Sequence, residues 1–344
     1  MIDALGVRLR LRCDRDLDRA KRDWARCAAQ GTDDVAPEVL GHGARALETA
    51  VTARLITEST GKLHLWHAAG VSLPDGRVLV LVAPSGTGKT TAAVRLSQSG
   101  WGYVTDETVG VTMDGRVLPY PKPVALLEDG VKEVVGPDDL GLAHHAENLT
   151  LGRVVVLERT EDAQSPSLTR LPLLEGLQTL LAQSSGLVQL PEPLASTCRL
   201  IDRVGGIYRL TYAELASAVP LLRGLMAEGP EPVEAWLHRP PLATGSEERP
   251  GDLGHVVRAP WLDAITCFDE VLLLVGSLTL RLSGIGASIW TALDRPRTMD
   301  ELVTLVSHDH GPHPDAVTLV GRAIDEMESA GVVTRVAVTN PAPL

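Results

Sequence analysis

"VLVLVAPSGTGKTTAAVRLSQSGWGYVTDE", residues 78–107, decides the fold. Val78 to Val82 form an apolar run that reads as a buried strand. Ala83 to Thr90 then fit a relaxed phosphate-loop pattern, with alanine where the strict form has its first glycine. Thr90 to Ser99 read as a helix closed by Gly100, and Gly102 to Thr105 as the next strand. This order gathers backbone N–H groups and the positive end of a helix dipole around a phosphate. Ser85, Gly86, Thr87, Gly88, Lys89, Thr90 and Thr91 are the expected nucleotide-binding residues. Lys89 should meet the β and γ phosphates, the Thr90 hydroxyl should meet Mg²⁺, and Thr91 should pack or cap beside them. ATP and Mg²⁺ are therefore the expected cofactors.

Asp106 and Glu107 end the strand that follows, at the edge where open α/β sheets bind ligands. One carboxylate can accept the proton of an attacking hydroxyl while the other holds Mg²⁺. Two of them in one site would also raise one pKa. Upstream, Pro74 to Gly76 join two apolar runs as a hairpin whose second arm feeds the loop, and His67 stands just before it. Lys122, between Pro121 and Pro123, reads as a solvated lysine.

Composition narrows the function classes. The formal charge of −12 and a single Phe argue against nucleic acid as a partner. The opening residues lack a signal-peptide core, and no later run has the length of a membrane span, so a cytoplasmic protein with no membrane partner is expected. Cys13, Cys27, Cys198 and Cys267 are scattered without a CxxC pair and read as reduced structural residues. His308, His310 and His313 cluster in "SHDHGPH" but read as a polar connection rather than a metal site.

His67, the hairpin, "LVAPSGTGKTTAAVRL" and "GYVTDETVGV", followed by "LGRVVVLER" and "IYRLTYAELASAVPLL", resemble the catalytic domain of HPr serine kinase/phosphorylase. The resemblance spans roughly residues 1–228 and implies transfer of the ATP γ-phosphoryl to a protein serine hydroxyl. It implies Asp106 as general base, His67 beside it, Lys89 and Thr90 in their loop roles, and Glu107 at the metal in place of the usual aspartate. Arg153, at the start of a strand, is the candidate for the family's catalytic arginine. The resemblance also allows a homo-oligomer.

Residues 227–260 concentrate Pro, Gly and charge without periodicity and read as a linker. Beyond them come three short strands, then helices over 285–293, 299–307 and 314–330, the pattern of a small α+β domain. "LSGIGASIWTALD", "TMDELV" and Met327 to Val333 resemble the PqqD family, or RiPP recognition element, with Ser283 in place of its asparagine. That resemblance implies capture of the leader of a ribosomally made precursor peptide as an added strand. Leu278, Thr279, Leu280, Arg281 and Leu282 would form the receiving edge, and Val317, Val320 and Ile324 the facing helix, with Trp290 in the core. Acidic residues outnumber arginines here, so a leader with basic residues is expected.

The expected architecture is an α/β P-loop kinase domain of the HPr-kinase kind over 1–228, a linker over 229–258, a winged-helix-like α+β domain of three strands and three helices over 259–336, and a tail over 337–344. The expected activity is phosphorylation of Ser or Thr in a precursor peptide, with separate RiPP-modifying enzymes as further partners. Two alternatives stay open: a catalytically inactive scaffold that presents the peptide to another enzyme, and an ATP-driven switch that loads and releases it.

Overall fold

The computed structural model describes residues 1–31, 36–128, 131–241 and 254–336. It divides into two compact units, Met1–Val233 and Glu234–Leu344.

The first unit is mixed α/β and is organised around a six-stranded sheet. Its order is Ser167–Arg170, Ile207–Tyr212, Thr150–Arg159, Arg77–Val82, Ala68–Ser72, Gly102–Thr105. The three strands Ile207–Tyr212, Thr150–Arg159 and Arg77–Val82 are mutually parallel neighbours. Arg77–Val82 and the middle of Thr150–Arg159 are near-continuous apolar, buried runs, whereas Ile207–Tyr212 keeps an alternation of buried and half-buried positions. The hairpin at 74–76 forms as the sequence predicts: Ala68–Ser72 pairs antiparallel with Arg77–Val82, with Ala68 opposite Val82. Helix Lys89–Gln98 buries Ala92, Ala93 and Leu96 in one core with Ala218, Leu222 and Leu225 of helix Leu215–Ala227.

A second layer precedes this core. Ile2–Ala4, Val7–Cys13 and Glu38–Gly41 form a three-stranded sheet. The alternating Val7–Cys13 segment is a strand, as its period of two requires. Helix Ala44–Ser59, which the sequence reading does not anticipate, packs on this sheet through Leu47, Val51 and Leu55. These lie at four-residue intervals, a stripe too narrow to stand out among the alanines and threonines around it. Helix Pro193–Arg203 is likewise unanticipated.

The second unit is α+β. Its main sheet is antiparallel and four-stranded, in the order Trp236–His238, Asp263–Cys267, Glu270–Val275, Leu278–Leu282. The three expected helices are present as Gly284–Ala292, Met299–His310 and Ala316–Ser329. The expectation of three strands is corrected. Trp236–His238 adds a fourth, and His255–Arg258 joins Arg297–Thr298 and Val333–Arg335 in a small second sheet. Trp236–His238 and His255–Arg258 come from the segment read as a linker, where flanking prolines hide strands too short to show a period. Residues 242–253 of that linker and the tail from 337 lie outside the described residues. The core centres on Trp261 and Trp290, whose rings meet edge to face at 5.5 Å, with the Arg258 guanidinium 3.9 Å from the Trp290 ring centre.

Candidate active site

Strand direction brings the site together. Arg77–Val82 and Gly102–Thr105 both run antiparallel to Ala68–Ser72, which lies between them. The ends of the two outer strands and the start of the middle one therefore share one edge. That edge carries the phosphate loop after Val82, Asp106 after Thr105, and His67 before Ala68. The parallel strands ending at Arg159 and Tyr212 finish on the same side.

Within the loop, Gly86 and Gly88 have φ of 82° and 95°, a region that disfavours residues with a Cβ. Gly88 caps helix Lys89–Gln98, so the helix begins at the loop lysine. Lys89 is buried, and its ammonium donates to the carbonyls of Ala83 at 2.6 Å and Pro84 at 3.1 Å. Burial pulls its pKa below the usual lysine value, while the charges of Glu107 and Asp106 oppose that shift. The Thr87 hydroxyl donates to the Pro84 carbonyl at 2.6 Å. Ser85 and Gly86 are exposed, Thr90 is half-buried, and Thr91 is exposed.

The two acidic residues have separate partners. Asp106 is buried and accepts from the Tyr103 hydroxyl at 2.9 Å and from Lys122 at 3.1 Å, both on Oδ1. Glu107 lies 3.2 Å from His67 Nδ1, which also lies 3.1 Å from the Glu107 carbonyl. A carbonyl only accepts, so Nδ1 carries the hydrogen. The expectation that the paired carboxylates raise a pKa is corrected for Glu107: the hydrogen bond from His67 holds it below the usual glutamate range, against desolvation.

Two further expectations change. Lys122 is not solvated; it is 1% exposed and paired with Glu48 at 2.9 Å as well as with Asp106. Arg153 is buried at mid-strand opposite Leu79, and it donates to the carbonyls of Val204 and Glu228 at 2.9 and 2.7 Å. Those bonds tie elements of the first unit together and do not reach the edge that carries the phosphate loop.

A cavity of about 860 Å³ continues from the loop, lined by Gly88, Thr91, Arg95, Arg159, Tyr212 and Arg223 among others. Arg159 and Tyr212 belong to no local sequence motif. Their signal is positional: each closes a parallel strand on the ligand-binding edge.

In the second unit, Leu278–Leu282 is an edge strand paired on one side with Glu270–Val275. Leu278 is 63% exposed, Thr279, Leu280 and Leu282 are half-buried, and Arg281 is bound to Glu270 at 2.7 Å. Val317 is 62% exposed, but Val320 and Ile324 are fully buried. Those two are core residues rather than open peptide contacts, because the inward side of the helix packs on this unit's own sheet and helices. Among the described residues no group of His, Cys, Asp and Glu has the arrangement of a protein-only metal site, His308, His310 and His313 included. A P-loop site does not need one, since Mg²⁺ takes one or two protein ligands and completes its shell with phosphates and water. Among the described residues no helix is long and apolar enough to cross a membrane.

No family model matches the chain, and no curated protein matches it. Among solved structures, the Hpr(Ser) kinase/phosphatase from Coxiella burnetii aligns with 48% of this chain and 99% of its own, at 14% identity and a TM-score of 0.29. The fold and the site rest on the chain's own geometry.

Proposed function

We propose that this chain is an ATP-dependent kinase that phosphorylates a Ser or Thr hydroxyl of a ribosomally synthesised precursor peptide, whose leader is held by the second unit. The observation that carries the kinase reading is the meeting of the phosphate loop, Asp106 and the His67–Glu107 pair on one sheet edge. The edge position of Leu278–Leu282 in its sheet among the described residues, and the exposed Leu278 and Val317, support the peptide reading.

On this reading Lys89 exchanges the Ala83 and Pro84 carbonyls for phosphate oxygens, and the loop N–H groups hold the phosphates. The nucleoside lies in the cavity beside Thr91, Arg159 and Tyr212. Thr90 and Glu107 would hold Mg²⁺, which when bound neutralises charge on the phosphates. Asp106 takes the proton of the peptide hydroxyl as its oxygen bonds to the γ-phosphorus. The bond from that phosphorus to the β–γ bridging oxygen breaks, and its electron pair leaves on ADP.

The test is the intact mass of a candidate precursor peptide incubated with the full chain, ATP and Mg²⁺. One added phosphoryl group is expected, with Asp106→Asn slower by roughly 10²–10⁴-fold and Lys89→Ala similarly impaired. An unchanged peptide mass with leader binding intact would reject the kinase and favour a scaffold. ATP turnover without peptide phosphorylation would favour a switch.

A further inference from the structure

Beneath Asp106 lies a buried cluster that the transfer step above does not use. The Lys122 ammonium has three donors and meets three acceptors: Glu48 Oε1 at 2.9 Å, Asp106 Oδ1 at 3.1 Å and the Pro123 carbonyl at 3.0 Å. With each N–H engaged, it has none to offer a phosphate. Tyr103 donates to the same Asp106 oxygen. Both donors therefore fix Oδ1, and Oδ2 is the oxygen left to meet a hydroxyl.

The lysine is itself held in place. Pro121 and Pro123 flank it and restrict the backbone on either side. Tyr120 N–H donates to the Val104 carbonyl at 3.1 Å, joining this segment to the strand that leads to Asp106. Thr52 Oγ1 donates to the Glu48 carbonyl, so in the 2.7 Å contact with Tyr120 the tyrosine hydroxyl is the donor. Glu48 and Thr52 are four residues apart on helix Ala44–Ser59 and share one face. That helix thus grips the proline segment at two points.

We propose that Lys122 and Glu48 are positioning residues for Asp106, making helix Ala44–Ser59 part of the apparatus that orients the catalytic base. This rests on Asp106 being the base. A carboxylate free to rotate would lose the alignment with its acceptor, and small misplacements of reacting groups cost on the order of 10²-fold in rate.

The experiment is steady-state ATP turnover by the full chain with Mg²⁺ and water as acceptor, alongside nucleotide affinity by fluorescence and folding by circular dichroism. Glu48→Gln keeps the shape of the cluster, and Lys122→Arg keeps its charge; Lys122→Met removes the cation. For Glu48→Gln and Lys122→Met we expect kcat to fall by roughly 10²-fold, with KM and nucleotide Kd within about 2-fold of wild type, and partial rescue in Lys122→Arg. Adding Lys122→Met to Asp106→Asn should cost little more, because both act through one group. Retained kcat in Glu48→Gln, or parallel losses of kcat, affinity and folding, overturns the proposal while leaving the kinase reading intact. Unchanged turnover in Asp106→Asn overturns the reading of Asp106 as the base, and this proposal with it.

Discussion

His64 is a buried base with little to gain from a proton. It is 1% exposed, its Nδ1 lies 3.3 Å from the Thr197 hydroxyl, and burial pushes its pKa down to about 4. A histidine lowered in the folded state favours folding while it is neutral. Its contribution is complete above the unfolded value near 6.5 and is lost as pH falls through 4, a change of about 3 kcal/mol at most. Chemical denaturation between pH 4 and 7 should show this slope, and His64→Gln should flatten it. At the edge that carries the phosphate loop, Glu107→Gln removes the carboxylate proposed for Mg²⁺ but keeps the residue's length. It should raise the Mg²⁺ concentration needed for half-maximal turnover, measured by metal titration at saturating ATP.

Elements hold these side chains through their ends. Helix Met299–His310 starts with a reciprocal capping box, in which Thr298 accepts from the Glu301 N–H and Glu301 accepts from the Thr298 N–H. The Thr298 bond and Arg295 hold the Glu301 carboxyl down at about 2. A lowered carboxylate stabilises the fold above its unfolded pKa near 4.5, and that contribution disappears as pH falls toward 2. Thr298→Ala should cost about 1 kcal/mol in denaturant titrations that follow the second unit, and Glu301→Gln should weaken the acid-dependent part of its stability. This box is legible in the sequence as Thr-x-x-Glu before an apolar run. Helix Ala44–Ser59 is not, because glycine precedes it and no side chain caps it.

At the scale of the whole molecule, the proposed function predicts that joining a leader-binding unit to a kinase unit in one chain raises the effective concentration of the acceptor segment. If the second unit binds the leader, removing the leader from the peptide should raise KM by roughly 10²–10⁴-fold in the full chain, with a smaller change in kcat. Peptide kinetics with full-length and leader-free substrates measure this. Equal KM values would show that the second unit does not serve substrate capture.

Local chemistry was enough to determine the phosphate loop, the hairpin before it, the helix after it and the strand ending at Asp106. Each is written in contiguous residues: a run of apolar side chains, glycines where φ is positive, a Pro-Asp-Gly turn. Tertiary structure alone decided what Lys122, Glu48, Arg153 and Arg159 do. Lys122 reads as solvent-facing from its neighbours, yet Glu48, far away in the chain, and Asp106 supply the charges that let it be buried. Arg153 and Arg159 occupy one strand, and only the direction and register of that strand put one at its middle and the other at the ligand edge. Burial and strand order are properties of the assembled sheet, and no window of sequence contains them.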